Sequence, residues 1–290
     1  MAERKRLEDK ELRQYWQQLS KTFPSRNDAG LGLVCYARMP ASFNSFINHF
    51  QQRAYRKLAA GLHIDSGVAL DLGTGIGRWL PRLERMGASR VIGVDLDRLR
   101  LDIALGRRTG NANLVQMPVE QLAFQTGTVN IVNCVTVLQH LPDDAKRTAI
   151  REVSRTLRPG GWFILFELIA TGDQAAHVFP WPAQRWIEEC ELAGMTLVRQ
   201  VGDQFLPLFR LPGLFRPEWM IGGSSTDTFI GGAARDGRAA GKFIRVGLLW
   251  AATLVSYPLE YASAFLCPPR VARINGFLFT RSLDDACASK

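Results

Sequence analysis

Cysteine is scarce and scattered in this 290-residue chain. Cys35, Cys134, Cys190, Cys267 and Cys287 form no CxxC pair and no CxxxCxxC run, which excludes a cysteine-built zinc site or iron–sulfur centre. Their odd number fits a reduced protein better than a disulfide framework. His49, His63 and His177 lack metal-ligand spacing, and no metal is expected. Long apolar runs are missing too. The longest uncharged, mostly apolar stretch, Val246 to Leu259, has 14 residues, against roughly 20 for a membrane-spanning helix. The first residues, MAERKRLEDKELRQYW, are charged throughout and lack the apolar core of a secretion signal, so a cytoplasmic protein is expected. There is no internal repeat and no low-complexity tract, and 47% hydrophobic with 22% charged residues is ordinary globular usage.

Charge is present in excess of one sign. Lys plus Arg is 36 against 27 for Asp plus Glu, a net +9, which raises nucleic acid, an anionic membrane surface or an acidic ligand as partners. Residues 202–273 hold eight basic and five acidic side chains, and residues 1–26 hold seven and four. Two thirds of the excess therefore lies in two flanking segments rather than in one polyanion-binding tail.

Between these flanks the pattern alternates. Helical spacing runs over residues 1–22, with Leu12, Tyr15, Trp16 and Leu19 on one stripe, and again from Phe43 to Leu58. After Gly61 short apolar strands at Val68–Leu72, Arg90–Asp95, Asn113–Met117, Asn130–Thr136 and Trp162–Leu168 are separated by helical stretches at Gly77–Met86, Leu99–Arg107 and Asp143–Leu157. A helix at Ala183–Ala193 and a sixth strand at Met195–Val201 follow. Repeated βαβ units predict an α/β fold with a doubly wound, mostly parallel sheet and helices on both faces. Asn275–Ser282 reads as a seventh strand, after an insertion, 202–273, rich in proline, glycine and aromatics. The expected organisation is an N-terminal helical lid over 1–60, a ligand-binding core over 61–201, the insertion, and a last strand with tail over 274–290.

The chemistry is concentrated in VALDLGTGIGR (Val68 to Arg78) and VIGVDLD (Val91 to Asp97). Glycines directly after a buried strand let the backbone turn tightly and approach a ligand at the carboxyl edge of the sheet. Asp95, at the end of the next strand, is placed to accept hydrogen bonds from both hydroxyls of a ribose. The dinucleotide fingerprint GxGxxG does not fit, because Arg78 stands where its third glycine would be, counted from Gly73. The ligand is an adenosine derivative of some kind.

At these residues the chain resembles the class I S-adenosylmethionine-dependent methyltransferases. The likeness rests on DLGTGIG, VIGVDLD, MPVEQLAF (Met117 to Phe124), NIVNCVTVLQHLPD (Asn130 to Asp143) and LRPGGWFILFE (Leu157 to Glu167), and covers residues 65–200. It implies a Rossmann-like seven-stranded fold and S-adenosyl-L-methionine as cofactor. By the same resemblance, Asp71, Gly73, Thr74 and Gly75 line the methionine part, Asp95 holds the ribose, Leu96 lies on the adenine and Val119 offers it a backbone N–H. Cys134 and Val135 lie beneath the sulfonium. Pro118 stands where many relatives carry an acid, with Glu120 near enough to replace it. Arg78, Arg53 and Arg56 are candidates to neutralise the cofactor carboxylate, Arg78 foremost. His140 and Glu167 are the candidate general bases for in-line methyl transfer.

The flanks admit several roles. Tyr15, Trp16 and the Phe43–Phe50 helix would fold over the cofactor in relatives, or simply pack as a helix stripe. The insertion is read as a cover that builds an apolar acceptor pocket, as a homodimer surface, or as a peripheral membrane contact through residues 235–266, where Arg235, Arg238, Lys242 and Arg245 precede an apolar run. A small, apolar or lipid-like acceptor methylated at oxygen is the expected substrate. A nucleic-acid or protein methyltransferase is the competing enzyme class; LQHLP after the fourth strand lacks the Pro-Pro-aromatic or Pro-Cys signatures of base methylation, so nucleic acid is not favoured. A scaffold that binds the cofactor without catalysis is the third reading.

Overall fold

The structure is a computed structural model of the chain, and describes residues 9–22, 30–36, 41–107, 110, 112–171, 177–208 and 239–283. Three N-terminal helices, α1 (Asp9–Thr22), α2 (Leu31–Val34) and α3 (Ala41–Leu58), precede the sheet. The core then runs β1 (Val68–Leu72), α4 (Leu80–Arg85), β2 (Arg90–Asp95), α5 (Arg98–Arg107), β3 (Asn113–Gln116), β4 (Val129–Val135), α6 (Asp143–Thr156) and β5 (Leu157–Leu168). It is completed by α7 (Ala183–Leu192), β6 (Met195–Asp203), the long helix α8 (Ala239–Leu266) and β7 (Ile274–Arg281).

The seven strands lie in the order β3-β2-β1-β4-β5-β7-β6. All neighbours are parallel except β7, which pairs antiparallel with both β5 and β6. Strand order reverses between β1 and β4, and a crevice opens there at the carboxyl edge, where open α/β sheets bind ligands. β1 and β4 read as near-continuous apolar runs because both of their faces are covered. One face packs Leu70, Val132, Phe163 and Phe277 against Ile150 and Val153 of α6 and Trp186 of α7. The other packs Ile131, Ile164 and Phe166 against Tyr55 and Leu58 of α3 and Leu80 and Leu83 of α4.

Several expectations are revised by this packing. The second half of α3 is part of the core rather than a lid: Tyr55 is fully buried, stacked 4.5 Å from Trp79 and 5.8 Å from Phe166. The helix expected from Gly77 starts at Leu80, since Gly77 takes a φ of +76° inside the turn that ends the glycine loop. β5 begins at Leu157 instead of Trp162, with a register shift against β4 between Val129 and Ile131. β6 extends to Asp203, so the insertion starts after it. Phe209, Phe215, Trp219, Phe229, Arg235 and Arg238 lie outside the described residues.

Helix α8 is the element the strand–helix alternation does not require. Its inward face carries Thr253, Ser256 and Glu260, all buried, while Trp250, Leu254, Val255, Leu259, Phe265 and Leu266 are exposed. Among the described residues no helix is long and apolar enough to cross a membrane.

Packing is tight where β7 pairs with β5. A β-carbon on Gly276 would sit 2.4 to 2.9 Å from the ring carbons of the fully buried Phe166. Gly276→Ala is expected to destabilise the chain by about 1–3 kcal/mol in urea unfolding. Adding Phe166→Leu should return part of that loss; a double variant no better than the single one would contradict this packing.

Candidate cofactor and acceptor site

A cavity of about 530 Å³ opens at the carboxyl edge of the sheet, roofed by α1 and α2 and walled by the loops after β1, β2, β4, β5 and β6. Each loop is shaped by a side chain from the strand behind it or beside it. At the end of β1, Asp71 is buried and accepts hydrogen bonds from Thr74 Oγ1 at 2.6 Å and from Asn133 Nδ2 on β4 at 2.7 Å. Burial pushes its carboxyl up to about 6 in spite of these two donors. Gly73 has a φ of +60°, and a β-carbon there would lie 2.4 Å from the Val137 side chain, so only glycine lets the loop pass under the exit of β4.

The next loop is tied to this one. Asp95 Oδ2 accepts the Gly75 N–H at 2.8 Å and Oδ1 accepts the Asp97 N–H at 2.9 Å. Burial raises the Asp95 carboxyl, and each oxygen keeps a lone pair for a ligand hydroxyl. Leu96, Met117, Pro118, Val119 and Glu120 continue the wall beside it. Asp97 accepts from Ser20 Oγ of α1, Arg100 Nε donates to Ser20 Oγ at 3.1 Å, and the Arg100 guanidinium lies 5.0 Å from the Trp16 ring centre. These contacts fasten α1 over the cavity and place Leu12, Tyr15, Trp16 and Leu19 in its roof.

Beyond β4, Val135, Thr136 and Val137 form the floor, and Thr136 holds a φ of +56°. Glu167 of β5 sets this bend. Its carboxylate is fully buried and accepts the backbone N–H groups of Val137 at 3.1 Å, Leu138 at 2.8 Å and Gln139 at 3.1 Å. Burial pushes it up to about 8. His140 follows. Its Nδ1 donates to the His177 carbonyl at 2.8 Å, which leaves Nε2 as the acceptor for Gln139 Nε2 at 3.2 Å. The His177 ring stacks 4.3 Å from Tyr15 and nearly parallel to His140 at 5.8 Å. Lys146, buried against Trp181 and Trp186, donates to the Phe179 carbonyl and straps this segment down.

The structure thus brings together Gly73, Thr74, Arg78, Asp95, Leu96, Pro118, Val119, Val135 and His140 on one cavity wall. Asp71 and Gly75 stand behind it as braces rather than as lining. Cys134 does not reach the cavity: strand alternation turns it into the apolar core, where it is fully buried and burial pushes its thiol up. Glu167 is likewise no base facing a substrate, because its oxygens are occupied by the loop it anchors. Arg53 lies 4.5 Å over the Tyr261 ring and Arg56 is exposed on α3, so neither lines the cavity. Arg78 does, and its Nη1 donates to Asn48 Oδ1 at 3.0 Å.

Sequence reasoning missed Tyr36, Gln139, His177, Gln204 and Arg273, all in the wall. Arg273 had a signal: an antiparallel last strand begins at the ligand-binding edge, so the residue before it must reach the site. His177 had none, since only the strap to His140 brings it in.

Burial lowers His140 to about 3 and His177 to about 4. Both imidazoles are neutral in the fold, while in the unfolded chain they take up protons below about 6.5. Their contribution is therefore unaffected above that pH and is lost as pH falls from about 6.5 towards 3–4. Thermal melts should show His140→Gln/His177→Gln losing less stability than the parent between pH 7 and 5.5, by about 1 kcal/mol per imidazole. Parallel curves for the two proteins would contradict the buried, neutral pair.

Residues 69–161 match the family model for a methyltransferase domain. The chain is 36% identical over 98 residues to the ubiquinone biosynthesis O-methyltransferase of Albidiferax ferrireducens, a match covering 32% of this chain and 38% of that protein. It thus spans well under half the length of that relative. Among solved structures, phosphoethanolamine N-methyltransferase 2 of Haemonchus contortus in complex with S-adenosyl-L-methionine superposes with a TM-score of 0.53 at 15% identity, over 92% of this chain and 60% of that one. The [4+2]-cyclase SpnF superposes with a TM-score of 0.51 at 17% identity, over 79% and 80%. Residues 69–161 of this chain therefore carry a methyltransferase domain.

Proposed function

We propose that the chain transfers a methyl group from S-adenosylmethionine to a small, apolar or lipid-like acceptor, at oxygen. The observation that carries this reading is the single cavity in which the glycine loop and Asp95 share walls with an apolar end formed by Ile47, Leu168, Val178 and Ile274. The named activity of the matched relative, O-methylation in ubiquinone biosynthesis, supports oxygen as the acceptor atom.

The donor set fits the cofactor. Asp95 offers two carboxylate lone pairs for a ribose, Leu96, Pro118 and Val119 offer apolar surface for a purine, and among the described residues Arg78 has only the neutral Asn48 and Cys35 as side-chain hydrogen-bond partners, which suits its charge to a carboxylate. When bound, S-adenosylmethionine supplies an electrophilic methyl carbon. The chain's own part is positioning and exclusion of water, with Tyr15 and Trp16 closing the roof. His140 presents a neutral imidazole at the floor's end, and its Nε2 is proposed to accept a hydrogen bond from an acceptor hydroxyl and so orient it, displacing the long contact from Gln139.

The outer face of α8 favours an acceptor drawn from a membrane. From Gly247 to Pro268 its exposed residues include no charged side chain, whereas Arg270 follows and Lys242 and Arg245 precede. That apolar outer face suits a bilayer surface, lying in the acyl boundary. Vesicles of phosphatidylglycerol should carry the chain upward in a sucrose gradient, and Leu254→Gln/Val255→Gln should stay behind. A parent that never floats, or that forms dimers lost in the same variant by light scattering, would assign the face to a second copy instead.

Calorimetric titration with S-adenosylmethionine should give micromolar or tighter binding, weakened roughly tenfold or more by Asp95→Ala. Incubation with labelled cofactor and a cell extract should transfer label to an organic-soluble product. Binding without any transfer would favour a scaffold, and no binding would end the reading.

A further inference from the structure

Among the described residues three arginines reach the cavity wall, and they differ in what they face. Arg100 is paired with Asp97 at 3.6 Å. Arg78 follows the glycine loop and donates to the Asn48 amide oxygen. Arg273 is half-buried, and its guanidinium has no hydrogen-bond or ion-pair partner among the described residues. A cation held in an apolar cavity without a partner is costly to keep unless a ligand supplies the counter-charge.

The topology places Arg273 away from the cofactor end. Counted along the sheet, β7 lies three strands from β1, about 14 Å at ordinary strand spacing. Because β7 is antiparallel, Ile274 pairs with both Leu168 and Asp203, so Arg273 stands at the carboxyl edge between β5 and β6. Its backbone is fixed on two sides: its N–H donates to the Gln204 carbonyl at 3.1 Å, and its carbonyl accepts the Ile169 N–H at 2.8 Å.

Gln204 is equally constrained. It has a φ of +55°, unusual for a residue with a side chain, and is almost wholly buried in the cavity wall. The turn that holds it there is set by Glu260 of α8, whose two carboxylate oxygens accept the N–H groups of Phe205 and Leu206, each at 2.6 Å. The Tyr36 hydroxyl donates to Gln204 Oε1 at 3.2 Å, which leaves the Gln204 amide nitrogen to donate elsewhere. The neighbouring acid, Asp203, is pushed up to about 8 by burial and by the adjacent Glu260.

We infer that Gln204 and Arg273, with Tyr36 orienting the Gln204 amide, form a subsite for one anionic oxygen group of the acceptor, a carboxylate or a phosphate monoester, whose apolar body lies along Ile47, Leu168 and Ile274. The inference rests on the methyltransferase reading and narrows its substrate class from an apolar or lipid-like acceptor to an amphipathic anion. It also gives α8 a task inside the site, since the buried Glu260 positions the turn that presents Gln204.

The full chain, saturated with S-adenosylhomocysteine, is titrated calorimetrically with octanoate, octyl phosphate and 1-octanol. At least one anion should bind roughly tenfold or more tighter than the alcohol, and which one does so separates carboxylate from phosphate. Arg273→Gln should erase this preference with S-adenosylhomocysteine affinity unchanged, and Arg273→Lys should restore part of it. Equal binding of all three probes, or a preference that survives in Arg273→Gln, would overturn the subsite. So would Arg273→Gln weakening S-adenosylhomocysteine itself, which would assign the guanidinium to the cofactor. Failure of the parent to bind S-adenosylhomocysteine would instead count against the methyltransferase reading.

Discussion

The carboxyl edge of the sheet depends on buried carboxylates that hold loop donors. Asp71 takes the Thr74 hydroxyl, Asp95 the Gly75 N–H, Glu167 three N–H groups after β4, and Glu260 two after β6. Loops that turn this sharply leave backbone N–H groups without partners of their own, and an orphaned N–H in a dry wall costs on the order of 1–3 kcal/mol. A carboxylate has lone pairs for several such donors at once. Burial opposes its charge, which is why Asp71, Glu167 and Asp203 are all pushed upward. The loops therefore have one arrangement that satisfies both partners, and the cavity they enclose is preformed.

That constraint also divides the cavity. The acids of β1 and β2 fix the end that carries Asp95 and Arg78, whereas those of β5 and α8 fix the end that carries His140, Gln204 and Arg273. Two positive-φ residues with side chains, Thr136 and Gln204, sit where the loops after β4 and β6 bend into the wall. Backbone strain of this kind persists only where surrounding contacts over-determine it, and here Glu167 and Glu260 supply those contacts. Helix α1 then closes the space through Ser20 and Asp97, through Tyr15 stacked on His177, and through Arg100 over Trp16.

The parallel core was legible because it obeys local rules: buried runs at Val68–Leu72 and Arg90–Asp95, glycines after the first and an acid after the second. The glycine loop, Asp95 and the apolar purine wall followed from those motifs. The roles of Asp71, Cys134 and Glu167 were not legible, since which face of a strand meets the crevice, and which acid spends its oxygens on backbone donors, depends on register between strands distant in sequence. Tyr36, Gln204 and Arg273 are separated by up to 237 residues in the chain and meet only because β7 inserts antiparallel between β5 and β6. The apolar segment after residue 239 was visible as such, but its inverted faces, with Glu260 inward and Leu254 outward, show only once α3 and the 203–206 turn are packed beneath it.

The same fold in a [4+2]-cyclase shows that architecture alone does not choose a reaction; the side chains around the preformed cavity must do so. The most direct test is a crystal structure of the full chain with S-adenosylhomocysteine. The account expects the ribose on Asp95, the purine between Leu96 and Val119, the carboxylate at Arg78, and the sulfur directed towards the open space before His140 and Arg273, with the loop hydrogen bonds unchanged. A nucleoside bound at the opposite end, or loops that abandon their buried carboxylates to admit it, would contradict the claim that these acids preform the site.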